Sequence, residues 1–416
     1  MQIENSANSI DVKHQRRPSF WSRRVKTEVL KLMADITEGY LVWRDGDELY
    51  TFGNPEHHLR AEVEILDPQS YHSMAFGGSI GAGEAYFLKQ WDTPDLGATL
   101  GLMAANIHLW DKKDGAVTAL ANWGHWAWHR LRPNSKTGSK RNILAHYDIG
   151  NAFYQLFLDD TMLYSSAVFE GEMTLYEAQL NKMKAICEQL ELKAGEHLVE
   201  IGTGWGALAI YAAQNYGVKV TTTTISDAQH TYTAALIKQH GLENQITLLK
   251  DDYRDLNGKF DKLVSIEMIE AVGERYLSTF FATCSNLLRP TGKMLIQAIT
   301  IPDQRYDSYR KSTDFIQRYI FPGGFLPSPA RMANDIARKT DMMITGWRDI
   351  GLDYAITLDR WSEALESRKS ELPAHGLDER FYRMWQFYFR YCEAGFNQRL
   401  ISTVHMICDK PLCKVL

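Results

Sequence analysis

Two hydrophobic periodicities divide the chain. Over residues 39–67 the segments GYLVWRDGDELYTFG and AEVEILD alternate apolar and polar positions and break at Gly, Asp and Pro, which predicts half-buried strands. The segment LGATLGLMAANIHLW then takes helical spacing, so this part reads as a small α+β module. Further on, NILAHYDIGNAFYQLFLDD and EAQLNKMKAICEQLEL read as helices. From residue 197 strand-like runs follow one another: HLVEIG, KVTTTTI, ITLLKDD, FDKLVSI, GKMLIQAI and LISTVHMICD. Between the first five lie helical segments, GALAIYAAQNYG, SDAQHTYTAALIKQHG and RYLSTFFATCSNLLRP. Alternation at this pitch predicts an α/β domain, a mostly parallel sheet with helices on both faces. The stretch TIPDQRYDSYRKSTDFIQRYIFPGGFLPSP before the last strand is too long for a simple connection and is expected to cover a site.

Composition narrows the class. A chain of 416 residues has room for two or three domains, and 45% hydrophobic with 23% charged residues is the balance of a folded globular protein. Net charge is −5, so nothing global recruits a polyanion, and no nucleic-acid partner is expected. Local charge is uneven: KHQRRPSFWSRRVKTEVLKLM near the N-terminus fits either an amphipathic helix on an anionic membrane or a solvated helix face. The basic segment RLRPNSKTGSK reads as a linker. No apolar run approaches the roughly 18 residues of a spanning helix, and no apolar stretch follows the basic N-terminus as a signal peptide requires. Any membrane contact would therefore be peripheral. Cys187, Cys284, Cys392, Cys408 and Cys413 are odd in number and form no CxxC pair, which favours a reducing cytoplasm over disulfides or a zinc site. The 11 Trp, 20 Tyr and 17 Phe serve either a core or a cavity for something greasy or cationic.

Candidate chemistry begins at LVEIGTGWGALAIYAA. Ligands of open α/β sheets sit at the carboxyl ends of the strands, near the switch point after the first strand. There Glu200, Gly202, Gly204 and Gly206 form E-x-G-x-G-x-G, with Thr203 among them. A dinucleotide loop spaces its third glycine one place later and keeps an acid about 20 residues on. Here the second strand ends in TTTTISDAQ, with Thr224, Ser226 and Gln229 and no acid, and no GxxxxGK[ST] occurs. The pattern points to S-adenosylmethionine, a compact ligand without pyrophosphate that the backbone must approach closely. After the third strand, Asp252 is suited to accept from an adenine amino group with Tyr253 beside the ring; Asp251 and Asp252 as turn caps are the structural alternative.

Several long segments carry a resemblance: HYDIGNAFYQLFLDDTMLYSS, VEIGTGWGALAIYAA, TISDAQ, SIEMIEAVG, FIQRYIFPGGFLPS and YCEAGFNQRLI. Together they resemble the cyclopropane fatty acyl phospholipid synthases, and FGGSIGAGEAYFLKQWDTPDL resembles the small N-terminal module of bacterial members. The likeness runs from about residue 40 to 410. It implies a Rossmann-like methyltransferase core with a mostly parallel seven-stranded sheet, a small α+β N-terminal domain and a helical lid. The corresponding organisation is a lipid- or membrane-associated module over 1–130, a linker over 131–142 and a methyltransferase domain over 143–416, with the lid around 303–345. The implied reaction transfers a methylene from S-adenosylmethionine to the cis double bond of a phospholipid acyl chain, at the inner face of the membrane, in a protein that can be a homodimer.

An alkene is a weak nucleophile, so the slot must be dry, and the resulting carbocation needs π faces or a carboxylate and then a base. Phe153, Tyr154, Phe157, Phe169, Tyr309, Phe315, Tyr319, Phe321 and Tyr354 are the aromatics expected to line it. By motif, the resemblance assigns Tyr164, Ser165, the loop Gly202–Gly206, Thr224–Gln229, Asp252 and Tyr253 to the donor. It also implies a bicarbonate base held by Ser166, Glu270, Gln297, Ile299 and Tyr354. Ser166 and Gln297 stand where the family has Cys and His, so either bicarbonate binds through amides and hydroxyls, or Glu270 or water takes the proton. The product is correspondingly a cyclopropane or a methyl-branched or methylene chain. His146 is read as structural, and Cys392, matching a thiol near the family's pocket, as packing. A methyltransferase for a small molecule or head group, and a lipid carrier with an idle core, are the rival readings.

Overall fold

A computed structural model describes residues 20–111 and 150–414. The small module holds a four-stranded sheet in the order β2-β1-β3-β4, from β1 (Tyr40–Asp45), β2 (Glu48–Gly53), β3 (Arg60–Ile65) and the short β4 (Trp91–Asp92). Alternation along the strands puts Leu41, Trp43, Ala61, Val63 and Ile65 on the covered face. Gly46 takes φ +59° in the two-residue loop between β1 and β2, a conformation that a Cβ disfavours. Helices Phe20–Ala34, Gln69–Phe87 and Leu96–Ala105 share one hydrophobic cluster with this sheet. Within the first of them Val29, Leu32 and Met33 are buried while Arg23, Arg24 and Lys31 face solvent. Its apolar side is therefore turned into the module, which is the solvated-face reading of the basic segment. Residues 13–19, the linker, and the stretch with His146 and Tyr147 lie outside the described residues.

Main-sheet order is β10-β11-β9-β8-β5-β6-β7. Its strands are β5 (His197–Ile201), β6 (Lys219–Thr223), β7 (Ile246–Leu249), β8 (Phe260–Ile266), β9 (Leu288–Thr300), β10 (Met343–Asp349) and β11 (Ser402–Asp409). β5 to β9 run parallel, and β11 is antiparallel to both of its neighbours. The order reverses at β5, so the switch point falls at the glycine loop.

Six of the seven strands coincide with the apolar runs in the sequence. β10 does not, because MITGWRD lies at the sheet edge with a bulge between Ile344 and Gly346 and most of its side chains exposed. The stretch 303–345 accordingly separates. Asp303–Tyr309, the π-helical turn Ile316–Ile320 and the Pro322-Gly323-Gly324 segment border the cavity. Pro329–Lys339, capped by Ser328, packs instead on helix Leu277–Leu287, and the last residues enter β10. Of the helix read over 142–160, the described part keeps Asn151–Tyr154, preceded by Gly150 at φ +90°.

One buried arginine fastens the two modules. Arg383, on helix Glu379–Asn397, donates to the carbonyls of Tyr86 (2.9 Å) and Trp91 (3.3 Å) and pairs with Asp92 (3.2 Å). Its guanidinium also lies 3.8 Å from the centre of the Tyr86 ring.

Candidate active site

A continuous cavity of about 740 Å3 begins at the carboxyl end of β5. Gly202 and Gly204 line it with φ of +99° and +54°, conformations that suit glycine. A Cβ on Gly202 would meet the Met268 side chain at 3.2 Å, whereas Gly204 faces open space. Gly206 serves packing rather than lining: it opens helix Ala207–Tyr216, and a Cβ there would meet Thr233 at 2.6 Å. Ser226 likewise does not line the cavity. Its hydroxyl caps helix Asp227–Gln239 by accepting from the Gln229 amide.

Tyr164, Ser165, Glu200, Thr203, Thr224, Gln229, Asp252 and Tyr253 all border the cavity. Buried Glu200 accepts from Thr222 Oγ1 at 2.5 Å, and Thr222 is linked in turn to Thr203 Oγ1 at 2.6 Å. Thr224 Oγ1 donates to Gln229 Oε1 at 2.8 Å. Asp252 caps the short turn that follows it and is gripped by the Arg254 fork at 2.7 and 2.6 Å, so the turn-cap alternative is realised here. Tyr253 keeps a buried hydroxyl without a hydrogen-bond partner. The two lining glycines, the acid behind them and this orphaned hydroxyl fit S-adenosylmethionine, which Gly202, Thr203, Gly204, Thr224, Gln229 and Tyr253 could hold.

The five residues assigned to a bicarbonate gather around two acids, with the Ile299 amide on Glu270. Three of them converge on Glu267, an acid that sequence reasoning passed over. The Ser166 amide (2.9 Å) and Gln297 Nε2 (2.7 Å) donate to its Oε1, and the Tyr354 hydroxyl (2.8 Å) donates to Oε2. Ser166 Oγ turns away to the Ala167 carbonyl, and the side chains of Ser166 and Gln297 sit behind the cavity wall. Gln297 is itself oriented from behind. Gln189 Nε2 lies 3.2 Å from His405 Nδ1, and His405 Nε2 lies 3.0 Å from Gln297 Oε1. Donation from Gln189 assigns the proton of His405 to Nε2, and burial lowers that imidazole to about 3, so it stays neutral.

Glu267 adopts φ +48°, a sparsely populated conformation for a side chain of this size. Burial raises its carboxyl above the ordinary range, and the Lys182 charge and its three donors oppose that rise. Lys182 is fully buried, donates to Ser165 Oγ at 2.6 Å, and is lowered to about 8 by burial. Three residues on, in the 3-10 turn Ile269–Ala271, Glu270 also lines the cavity. Its Oε1 accepts from the Ile299 amide at 2.6 Å, while Oε2 is buried without a partner. Burial, with the Glu267 charge second, pushes Glu270 up to about 8. A single turn thus presents two carboxyls, one held by three donors and one by a single amide.

The aromatic wall differs from the expected set. Tyr309, Phe321 and Tyr354 line the cavity; Phe169, Phe315 and Tyr319 do not. Phe153, Tyr154 and Phe157 are core instead, because the segment that carries them packs onto Glu379–Asn397, with Phe153 4.6 Å from Trp385 and Phe157 5.1 Å from Phe389 between ring centres. The missing walls come from Phe325 and from Phe387, Tyr388, Tyr391 and Phe396 near the C-terminus. Cys392 lines the cavity, and burial drives its thiol well up, so it stays protonated.

A pH dependence of stability follows. Burial raises Glu200, like Glu270, from 4.5 to about 8. The folded protein holds both protons where the unfolded chain has released them. Their contribution is full below the unfolded value and is lost as pH rises toward about 8. The melting temperature is expected to fall between about pH 5 and 8. Glu200→Gln, which cannot ionise, should flatten that slope; an equal slope in the variant contradicts the assignment.

Comparisons with known proteins agree with this arrangement. The family model described as mycolic acid cyclopropane synthetase matches residues 134–406. The tuberculostearic acid methyltransferase UfaA1 of Mycobacterium tuberculosis is 36% identical over 332 residues, 77% of this chain and 76% of its own. The cyclopropane-fatty-acyl-phospholipid synthase of Escherichia coli K12 is 34% identical over 357 residues, 84% of this chain and 88% of its own. Among solved structures, mycolic acid cyclopropane synthase CmaA1 complexed with SAH and CTAB superposes with a TM-score of 0.61 at 31% identity, covering 65% of this chain and 98% of that one.

Proposed function

The chain belongs to the mycolic acid cyclopropane synthetase family and is an S-adenosylmethionine-dependent methyltransferase of lipid acyl chains; from that premise we propose that it alkylates the cis double bond of an unsaturated phospholipid chain and closes a cyclopropane ring. The observation that carries this reading is the single cavity running from Gly202 and Gly204 past Glu267 and Glu270 between apolar and aromatic walls. When bound, S-adenosylmethionine supplies an electrophilic methyl on a cationic sulfur. This chain's residues exclude water, hold the acceptor and manage charge. Tyr309, Phe321 and Tyr354 offer π faces to a cationic carbon. Glu270 stands ready to ionise beside positive charge. Glu267 takes the proton at its carboxylate, where Ser166, Gln297 and Tyr354 hold it in the place of a captured anion, and burial raises its affinity for a proton. Ile299 positions Glu270 through its amide.

Proton loss from the added carbon closes the ring. A base fixed covalently to the chain also supports a second product: a hydride shift between the two former alkene carbons followed by proton loss from the added carbon gives a methylene chain, which only a separate hydride donor could reduce to the methyl-branched chain that the likeness to a tuberculostearic acid methyltransferase suggests. Because the acceptor resides in a bilayer, the protein works as a peripheral protein at the cytoplasmic membrane face; among the described residues no helix is long and apolar enough to cross it.

Methyl-labelled S-adenosylmethionine, incubated with the protein and monounsaturated phospholipid vesicles, is expected to place label in the acyl chain. Ring protons in the product's NMR spectrum establish cyclopropane, and an ozone-cleavable product establishes methylene. Label in the head group contradicts the acyl reading, as does lipid binding without any transfer.

A further inference from the structure

We propose that the small N-terminal module is itself part of the acceptor site: its interior receives the far end of the acyl chain whose double bond is alkylated. This deepens the acyl-chain reading and rests on it. The cavity that starts at Gly204 continues between the lid and helix Gln69–Phe87 into the module. Its walls there are Trp43 of β1, Val63 of β3, Met74, Leu100, Met103 and Ile107. The polar atoms in this end are already engaged. Trp43 Nε1 donates to the Tyr71 hydroxyl at 3.1 Å, and the Thr99 hydroxyl is bound to Thr93 Oγ1 (2.8 Å) and the Asp95 carbonyl (2.9 Å). A head group or a water would find few partners in such a space, whereas hydrocarbon needs none.

Glycines open the passage. Helix Gln69–Phe87 breaks at Gly78 (φ +53°, ψ −136°), and Gly77 and Gly78 border the cavity with nothing within 4 Å of an added Cβ. Further along the same helix, a Cβ on Gly83 would meet the Phe315 ring of the lid at 2.5 Å. The Tyr319 hydroxyl also donates to the Glu84 carboxylate, and the Phe87 and Tyr319 rings meet edge to face at 5.3 Å. Lid and module are thereby joined around the passage rather than across it. The family match begins at residue 134, so this end of the cavity is built by residues outside it.

With the reacting carbons held near Glu267 and Glu270, the module reads how much chain lies beyond the double bond. Each methylene taken from water contributes about fourfold in affinity. A side chain that fills the module end therefore acts against long tails selectively. Met103, only partly buried, is changed to Trp, and Gly77→Leu independently narrows the passage. Phospholipids with the double bond at a fixed distance from the carboxyl carbon, but with short or long tails beyond it, are compared by kcat/KM. Both variants are expected to lower the long-to-short ratio about sixteenfold, the equivalent of losing two methylenes. Should Met103→Trp fail to fold, Gly77→Leu carries the comparison. A ratio within about twofold of wild type in a folded variant overturns the module's role while the acyl reading stands. Wild-type label confined to the head group overturns both.

Discussion

Glu267→Gln is expected to lower acyl-chain methylation by about 10²- to 10⁴-fold, the range of a positioned general base. Gln matches Glu in size, and with its oxygen facing the Ser166 amide and Gln297 Nε2 its NH2 donates to the Tyr354 hydroxyl, so affinity for S-adenosylhomocysteine and the melting temperature should change little. The loss belongs to kcat because the missing function is proton acceptance after the new bond has formed. If Glu267 replaces a captured anion, wild-type activity persists in carbonate-depleted buffer. Glu267→Gly adds a sharper test. Glycine relieves the φ of +48° and leaves a space facing the Ser166 amide, Gln297 Nε2 and the Tyr354 hydroxyl. Added bicarbonate should then restore part of the turnover. A wild-type enzyme that stops without carbonate, or a Gln variant at full rate, returns the base role to a free ion or to Glu270.

Glu270→Gln is the second large effect, about 10²-fold in turnover, with a different signature. With Oε2 unpartnered and its pKa near 8, Glu270 is mostly protonated at neutral pH in the ligand-free protein. A sulfonium cation entering the cavity favours the ionised form, so donor binding should release a proton at about pH 7. Titration calorimetry in two buffers of different ionisation enthalpy reads this directly. The variant should lose the proton release and part of the preference for S-adenosylmethionine over its uncharged-sulfur product. Proton release that survives the substitution assigns it to another group.

The two acids illustrate how unevenly the site could be read from residues. Both lie in SIEMIEAVG, three positions apart. Glu270 follows from the motif, whereas Glu267 stands out only after the chain has folded. Its donors come from Ser166 before the sheet, Gln297 on β9 and Tyr354 on a later helix, and no local pattern joins such distant positions. His405 behaves the same way: on β11 it looks like one polar residue in an apolar strand, yet it fixes the Gln297 amide. The aromatic wall escapes the sequence for a related reason. Phe153 and Phe157 are as aromatic as Phe387 and Tyr391, and the packing of Asn151–Tyr154 on the long C-terminal helix decides which rings face the cavity.

Periodicity and local chemistry determined what is local: the alternation of strands and helices from residue 197, the glycine corner after β5 and the exclusion of pyrophosphate loops; Glu270 came with the family resemblance of SIEMIEAVG. Edge strand β10 escaped because an exposed, bulged strand needs little apolar patterning. Tertiary structure alone decided that Ser166, Gln297 and Tyr354 converge on Glu267 and that the cavity extends into the small module. Both depend on residues from 30 to 235 positions apart, whose contacts form through the closure of sheets and helices and leave no spacing in the chain to read.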